Sequence, residues 1–461
     1  MKEIESEEVV SVGSHVIVQK LNYKKVYRVS ETGSLVLGKE EIKMSAIIGK
    51  PFWTTFKVIA PQEKRNDRSQ KKYPPSTLVV ADKCESLEDL KNDVKSGFDN
   101  RSINDDGKSQ KLSKDDILGL RDAGKSGREI VISLIENNAS FREKTEYSQE
   151  KYIRKKEKKY CQYLSVHKPT LSSLHEIYLR QDPIKIYGLR MDTLAQILCY
   201  SDVKCNGTFL LYDSGSAGLA AAGIMSRIGS NTSGNLIYLH SGDHLPQMPI
   251  VRAMNFPQEQ LDRLTVASIF DFLNNSYKNT TDSENSVKSP KTFIELDKLI
   301  MKNEEGSTAH DDLLLDNKTD GCEENKCDIA NFKDLKRKNK EILQDSLVVK
   351  KSRKVLEIER AVELLSAAKA DSLTIVAREH PLNIVKELLL FLKSSRPVVI
   401  YHAHREPLEE TYIALKQQNN IVNLRLFSNF LRSYQVLADR THPDILTNDC
   451  GGYILTGYIV N

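Results

Sequence analysis

An acidic residue and a turn of small residues stand between an apolar run and an alanine-rich run in residues 204–229. The predicted strand Thr208–Tyr212 leads into Asp213, and a predicted helix follows the turn. This layout is typical of pockets for nucleotides or S-adenosylmethionine (SAM), because backbone N–H groups of the turn and the start of the helix can approach a ligand. A turn that only connects strand to helix is the alternative reading.

The residues of this turn depart from those that a working cofactor loop needs. A SAM loop of the form acid-x-Gly-x-Gly-x-Gly requires three glycines after the acid, and here Asp213 is followed by Gly215, Ala217 and Leu219 at those positions. Glycine is needed where a backbone closely approaches a ligand, because it has no side chain. We therefore expect a methyl and an isobutyl group where the cofactor would lie, in a cofactor-type domain that has lost its cofactor.

Two further positions of such a pocket are altered. The second predicted strand, Asn235–Leu239, is followed by His240 where a carboxylate would hold the ribose, and Asp243 comes several residues late. After the fourth predicted strand, at 373–377, an adenine N-methyltransferase would present Asp or Asn with Pro and an aromatic residue. This chain has Arg-Glu-His-Pro at 378–381. Three alterations together indicate loss of the site more strongly than any one of them.

A basic run predicts a surface for a polyanion. Residues 151–160 read KYIRKKEKKY, with six basic side chains against Glu157. On a helix these charges cover more than half of the circumference, so they cannot all be paired within the chain. Phosphates are suitable counterions, because each contact releases condensed cations. A solvated helix face and a localisation signal are the alternatives.

The elements that position these residues divide the chain into three predicted parts. Residues 1–82 contain five or six short β-rich runs, which predict a small N-terminal β-barrel domain. Residues 83–165 are predicted to form a flexible linker and basic helices. In 166–461 helices and strands alternate, which predicts an α/β, Rossmann-like class I methyltransferase fold without a functional SAM site. A polar stretch at about 274–340 is predicted to be a disordered insertion.

Composition limits the remaining classes. At 461 residues the chain is too long for one ordinary core, which favours two or three domains, and the net charge of +4 is less informative than its uneven distribution. No apolar run reaches the roughly 20 residues that cross a bilayer, so we expect no membrane contact. The N-terminal residues lack a secretory pattern, and seven scattered cysteines indicate reduced thiols. Cys322 and Cys327 are weak indications of zinc.

Several longer strings resemble a known family. They are FREKTEYSQEKYIRKKEKKY, MDTLAQIL, NLRLFSNFLRSYQVLADRTHP and GGYILTGY. Together they resemble the non-catalytic subunit of the eukaryotic tRNA (adenine-58-N1)-methyltransferase over nearly the whole chain outside the insertion. The resemblance implies a methyltransferase paralogue without a cofactor of its own. It further implies a heterotetramer, two of each subunit, in which the catalytic partner binds SAM and this chain supplies much of the tRNA surface.

The resemblance also implies which residues contact tRNA. The matching segments are 100–110, 151–160 and 181–188, with two further basic positions. Residues 100–111, which alone read as a linker, thereby become a predicted RNA contact, and Glu157 modestly weakens phosphate attraction in the basic run. The implied tRNA-binding residues are Asn100, Arg101, Lys108, Ser109, Gln110, Lys151, Tyr152, Arg154, Lys155, Lys156, Lys158, Lys159, Tyr160, Gln181, Lys185, Lys350 and Arg378.

Two other functions stay open at this point. One is an active SAM-dependent RNA methyltransferase with a divergent glycine loop, which Asp213 and Gly215 favour. The other is a scaffold without RNA contact, in which the basic clusters at 336–340 and 350–354 serve only nuclear import. Because of these clusters we expect a nuclear protein.

Overall fold

The computed structural model describes residues 8–38, 40–59, 75–81, 109–123, 125–160, 162–242, 244–283, 352–436, 441–445 and 451–460. The strands are β1 His15–Lys20, β2 Tyr23–Arg28, β3 Ser34–Leu37, β4 Glu40–Lys43, β5 Thr55–Ile59, β6 Thr77–Val80, β7 Tyr163–His167, β8 Thr208–Asp213, β9 Asn235–His240, β10 Leu264–Ser268, β11 Ser372–Val376, β12 Pro397–His402, β13 Ile421–Ser428, β14 Tyr434–Gln435, β15 His442–Pro443 and β16 Tyr453–Ile459. The α-helices are α1 Lys114–Asp122, α2 Gly127–Glu136, α3 Glu146–Tyr160, α4 Leu171–Gln181, α5 Met191–Tyr200, α6 Leu219–Ile228, α7 Pro249–Ala253, α8 Gln258–Leu261, α9 Ile269–Ser283, α10 Arg353–Ala367, α11 Pro381–Leu388 and α12 Glu406–Gln418.

The N-terminal part is an antiparallel β-structure. Five strands form a sheet in the order β2-β1-β7-β5-β6, and β3 pairs with β4 in a separate ribbon. Apolar residues alternate along these strands, and the buried set, which includes Phe56 and Leu164, forms one core. The predicted strands are present, but the sheets are open in the described residues, so the predicted barrel is not confirmed.

The sheet of the N-terminal part includes a strand, β7, that crosses the predicted end of the linker. Val166 of β7 is opposite Val18 of β1, and Leu164 is opposite Phe56 of β5. The boundary that we predicted between residues 165 and 166 therefore divides a strand and needs correction. The strand belongs here because Leu164 and Val166 are both buried in the N-terminal core.

Three helices between β6 and β7 form a small module. The helix α2 begins with a capping box, in which Ser126 Oγ accepts from Glu129 N at 3.2 Å and the Glu129 carboxylate accepts from Ser126 N at 2.8 Å. Val131 of α2, Ile153 of α3 and Phe141 between them are buried together. The module therefore fixes the orientation of α3, the helix that carries the basic run.

The C-terminal part confirms the predicted Rossmann-like methyltransferase fold. Its seven strands lie in the order β10-β9-β8-β11-β12-β16-β13. Neighbouring strands from β10 to β12 are parallel, and β16 is antiparallel to both β12 and β13. Apolar side chains pack against both faces in two separate clusters. The carboxyl ends of β8, β9 and β11 meet at one edge, where ligands bind in folds of this kind.

The polar insertion begins later than we predicted. Residues 274–283, assigned to it from sequence, continue the helix α9. The helix extends because Phe272 is fully buried beside Phe391 and the hydroxyl of Tyr277 donates to Glu387 Oε2 at 2.7 Å. Residues 284–340, with Cys322 and Cys327, lie outside the described residues. In the ranges that the structure describes, no helix is long and apolar enough to cross a membrane.

Candidate functional site

The loop after β8 is tied to itself by its acidic residue. The Asp213 carboxylate is buried and accepts from the N–H groups of Gly215 at 3.0 Å and Ser216 at 2.8 Å, and from the Ser216 hydroxyl. Burial raises the pKa of Asp213, and the bonds from Ser216 and Gly215 oppose this shift. Two N–H groups of the turn are therefore already bonded within the chain.

The small residues of the turn adopt left-handed backbone conformations. Ala217, at the second expected glycine position, has φ 54°, and Gly218, next to it, has φ 82°. Leu219 is the first residue of α6 and is fully buried in the core of the C-terminal part. A Cβ on Gly218 would lie 2.9 Å from Met248 Cβ. The segment before α7 thus packs directly against the turn.

An arginine covers the other side of the loop. Arg378, which follows β11, donates from Nη2 to the carbonyl of Ile184 at 2.9 Å, and its guanidinium lies 5.6 Å from the centre of the Tyr187 ring. Its side chain is so close to Gly215 that a Cβ there would lie 2.5 Å from Arg378 Nε. This one side chain therefore joins the loop, residues 181–188 and the end of β11.

A glutamate closes the strand ends beside that arginine. Glu379 accepts from Ser214 Oγ after β8 at 2.6 Å and from Ser241 Oγ after β9 at 3.3 Å. Burial, with the nearby Glu379 carboxylate, raises the pKa of Tyr212. The neutral phenol of Tyr212 and the hydrogen-bonded carboxylate of Glu379 thus lie at the edge where a cofactor would contact β8, β9 and β11. The N–H groups of Gly215 and Ser216 and the space beside Gly215 are therefore already taken by groups of this chain.

The predicted tRNA residues near this edge have partners within the chain. Gln181 Nε2 donates to the carbonyl of Lys24 in β2 at 2.9 Å, and Lys185 Nζ lies 3.1 Å from an Asp182 carboxylate oxygen. Both residues are exposed. The structure therefore brings Gln181, Lys185 and Arg378 into one region, although Arg378 follows the other two by about 200 residues in the sequence.

The basic helix α3 separates into paired and unpaired charges. Arg154 forms an ion pair with Glu150 at 2.5 Å. Lys156 is half-buried with its ammonium 5.1 Å from the centre of the Tyr152 ring, and burial lowers its pKa. The exposed lysines, for which the described part of the chain offers no carboxylate partner, are Lys151, Lys155, Lys158 and Lys159. The Lys159 ammonium lies 5.1 Å from the centre of the Tyr160 ring.

Other predicted tRNA residues support α3 from inside the module. Gln110 Nε2 donates to the carbonyl of Leu134 at 2.9 Å and to the Tyr152 hydroxyl oxygen at 3.1 Å. The Tyr152 ring packs against Phe141, and Tyr160 packs at the edge of the same cluster. The carbonyl of Ser109 accepts from Ala139 N at 2.9 Å. Predicted contacts that lie outside the described residues are Asn100, Arg101, Lys108 and Lys350.

Sequence reasoning missed the residues that complete the edge. Met248 belongs to no motif, and Tyr187 and Ser214 stand in segments that were named without a role for these two residues. The contacts of all three join positions far apart in the chain. In the described ranges no group of three histidine, cysteine or acidic side chains could hold a metal ion.

Comparison with known proteins identifies the family. The sequence pattern of the Gcd10p family matches residues 9–298, more than half of the chain. The chain belongs to the Gcd10p family. Two relatives of this Gcd10p chain are named "tRNA (adenine(58)-N(1))-methyltransferase non-catalytic subunit". The one from Mus musculus is 33% identical over 462 residues, 97% of this chain and 88% of the relative. The one from Dictyostelium discoideum is 30% identical over 452 residues, 97% and 79% respectively.

A solved structure is also similar to this Gcd10p protein. It is the tRNA (m1A58) methyltransferase TrmI from Aquifex aeolicus, with a TM-score of 0.41 and 10% sequence identity. The likeness covers 98% of this chain and 100% of the solved one.

Proposed function

We propose that this chain is the non-catalytic, tRNA-binding subunit of a tRNA (adenine-58-N1)-methyltransferase, the complex that forms 1-methyladenosine at position 58. The observation that carries the proposal is its similarity, over 97% of its length, to relatives that bear this name. The exposed lysines of α3 support the tRNA-binding role, because they can contact phosphates without breaking ion pairs within the chain.

In this proposal the chemistry belongs to the partner. The partner subunit binds SAM and methylates N1 of the adenine, whose edge must first be exposed from the folded tRNA. This chain holds the tRNA body. Support comes from the loop after β8, where Asp213 takes two turn N–H groups and Arg378 covers Gly215.

Isothermal titration tests the loss of SAM binding. We expect the purified full chain to show no micromolar binding of SAM, whereas the complex with its partner binds it. The single variant Ala217→Gly should not create binding, because Arg378 still covers Gly215. Micromolar binding by the chain alone would favour the alternative function, an active methyltransferase with a divergent glycine loop.

We propose that the partner covers an apolar hairpin beyond β13. Phe430, Tyr434, Val436 and Ile445 lie on or beside the β14–β15 hairpin, and Ile445 is 93% exposed. Large apolar side chains clustered at a surface mark protein interfaces. A related pair of methyltransferase-type subunits can meet through a face resembling that of a homodimer. We further propose two copies of each subunit and, from the basic clusters at 336–340 and 350–354, a nuclear location.

Charged substitutions in the hairpin test this interface. The double variant Val436→Asp, Ile445→Asp is expected to weaken assembly with the catalytic subunit by about 30-fold or more, the effect of losing an interface hot spot. Light scattering of mixed subunits gives the assembly constant. The matched control is Ile413→Asp in α12, an exposed apolar residue in another element, which should leave assembly unchanged. If the hairpin double variant assembles with the catalytic subunit as tightly as Ile413→Asp and wild type do, the hairpin is not the interface.

A scaffold without RNA contact is the remaining candidate. Filter binding of labelled tRNA to the purified complex distinguishes it, because the scaffold would leave tRNA affinity independent of substitutions in α3. The proposed function predicts a strong dependence, with the charge of α3 setting the salt sensitivity.

A further inference from the structure

An exposed indole at the edge of the N-terminal sheet has no part in the site described above. Trp53 is the single tryptophan of the chain, and 65% of its surface is exposed. Its backbone has φ 72°, a conformation that residues other than glycine rarely adopt. The N–H of Trp53 donates to the carbonyl of Val166 at 2.6 Å, which holds this turn against β7. The core does not require the indole, and the turn presents it to solvent.

A histidine braces the indole from one side. The rings of Trp53 and His167 meet edge to face, with centroids 4.7 Å apart and planes at 89°. His167 is itself held by Ser165, whose Oγ lies 2.6 Å from His167 Nε2. Edge-to-face packing orients a ring and leaves most of its other face open. Trp53 thus has a defined orientation although it is exposed.

A polar strip connects this pair to the basic helix. The outward residues of β7 are Tyr163, Ser165 and His167, and the strand follows directly after α3. Across the sheet, Thr55 is opposite Ser165 and the exposed Lys57 is opposite Tyr163. At about 3.3 Å per residue the strip spans roughly 13 Å. It therefore leads from α3 toward Trp53 and carries the positive charge of Lys57.

We propose that Trp53, oriented by His167 and assisted by Lys57, is a stacking platform for an unpaired base of the bound RNA. The proposal rests on the proposed function, since it requires this chain to bind tRNA. Exposed aromatic rings next to basic side chains are the means by which proteins hold unpaired nucleotides, because every base offers a flat face. Lys57 gives the strip a positive charge that can pair with a phosphate. The exposed apolar residues Ile59 and Val79 lie beside Lys57 on the same face of the sheet, so a protein partner is the alternative that the test must distinguish.

The single tryptophan permits a direct test. Titration of the full chain with tRNA should quench its tryptophan fluorescence saturably, with the same midpoint as filter binding. A blunt RNA duplex with the same number of phosphates should quench it much less, because its bases are already stacked. In the complex, Trp53→Ala should lower tRNA affinity about 5- to 100-fold, the effect of losing one stacked base. Trp53→Phe should retain most of the affinity.

Salt dependence separates stacking from charge. Trp53→Ala should leave the slope of log affinity against log salt unchanged, whereas Lys57→Ala should reduce it by about one unit. Leu390→Ala, at an exposed apolar site in the C-terminal part, is the matched control and should change neither quantity. Trp53→Gly should lower affinity as the alanine variant does while retaining thermal stability, because glycine suits φ 72°.

Three results would overturn the platform. If the wild-type complex binds tRNA and the Trp53→Ala complex binds it with the same affinity, the platform is refuted and the proposed function still stands. If the catalytic subunit quenches the Trp53 fluorescence in the absence of RNA, and Trp53→Ala weakens assembly with that subunit, the indole belongs to a protein interface. If the wild-type complex binds no tRNA, the proposed function fails first and the platform with it.

Discussion

Replacing the four exposed lysines of α3 by alanine is expected to weaken tRNA binding by about 100- to 1,000-fold near 0.1 M salt. The four are Lys151, Lys155, Lys158 and Lys159. In the described residues they have no carboxylate partner, so each is available to a phosphate. The slope of log affinity against log salt should fall by about three to four units if all four make contacts. Filter binding of tRNA to the complex between low and moderate salt measures both quantities.

The design of this experiment follows from the structure. Arg154 and Lys156 are left in place because Arg154 is paired with Glu150 and Lys156 is half-buried on Tyr152. Lys159 also lies near a tyrosine ring, that of Tyr160, but it is exposed. Their removal would disturb the helical module as well as the charge. The control replaces four lysines of the C-terminal part, Lys204, Lys369, Lys386 and Lys416, and changes net charge equally. An equal loss of affinity in the control would show that overall charge, and not the α3 surface, attracts tRNA.

The sequence predicted the elements that have strong local periodicity. The alternation of strands and helices after residue 166 predicted the Rossmann-like domain, because a buried parallel strand such as β8 is a continuous apolar run. The basic helix was predicted for the same reason, since charge density is a local property. The open N-terminal sheet was harder to predict from the sequence. Its strand β7 is separated from β6 by about 80 residues, and the alternation of five residues cannot show which sheet they join.

The contacts that shape the edge of the C-terminal sheet could not be predicted. Asp213 was recognised as the acid of a cofactor loop, but the pattern cannot show whether its carboxylate faces a ligand or its own turn. Arg378 was identified through the resemblance, and its position over Gly215 depends on strand order, which joins residues 163 positions apart. The complete burial of Leu219 depends on the orientation of the first turn of α6. These features arise from tertiary packing and have no signature in a single sequence.

Asp213→Ala is expected to destabilise the C-terminal domain by about 3 to 5 kcal/mol. The change removes the acceptor of the Gly215 and Ser216 N–H groups and of the Ser216 hydroxyl, and each buried group left unpaired costs about 1–3 kcal/mol. Asp213→Asn keeps one carbonyl oxygen for the two N–H groups and should cost only about 1 kcal/mol. Urea unfolding followed by circular dichroism compares the three proteins, while Trp53 fluorescence reports the N-terminal part separately.

The dependence on pH distinguishes this structural role from a ligand-binding role. Burial raises the pKa of Asp213 above its ordinary value of 3.8, which applies to the unfolded chain. At pH values between 3.8 and the pKa in the folded state, the folded state therefore binds more protons than the unfolded state. The part of the Asp213 contribution that is linked to protonation is therefore complete below 3.8 and is lost as pH rises through the folded pKa, whereas the hydrogen bonds to Gly215 and Ser216 remain. The acids Asp371 and Glu176, whose pKa values are lowered by bonds to lysines among other groups, produce the opposite trend.

The difference between wild type and Asp213→Asn isolates the Asp213 contribution, because the other acids are common to both proteins. That difference should decline as pH rises through the window and then remain constant. A flat difference, or equal destabilisation by asparagine and alanine, would mean that the carboxylate is not the buried acceptor of the turn. If the expected pattern is found, Asp213 at the end of β8 stabilises the turn that follows it by accepting from the N–H groups of Gly215 and Ser216.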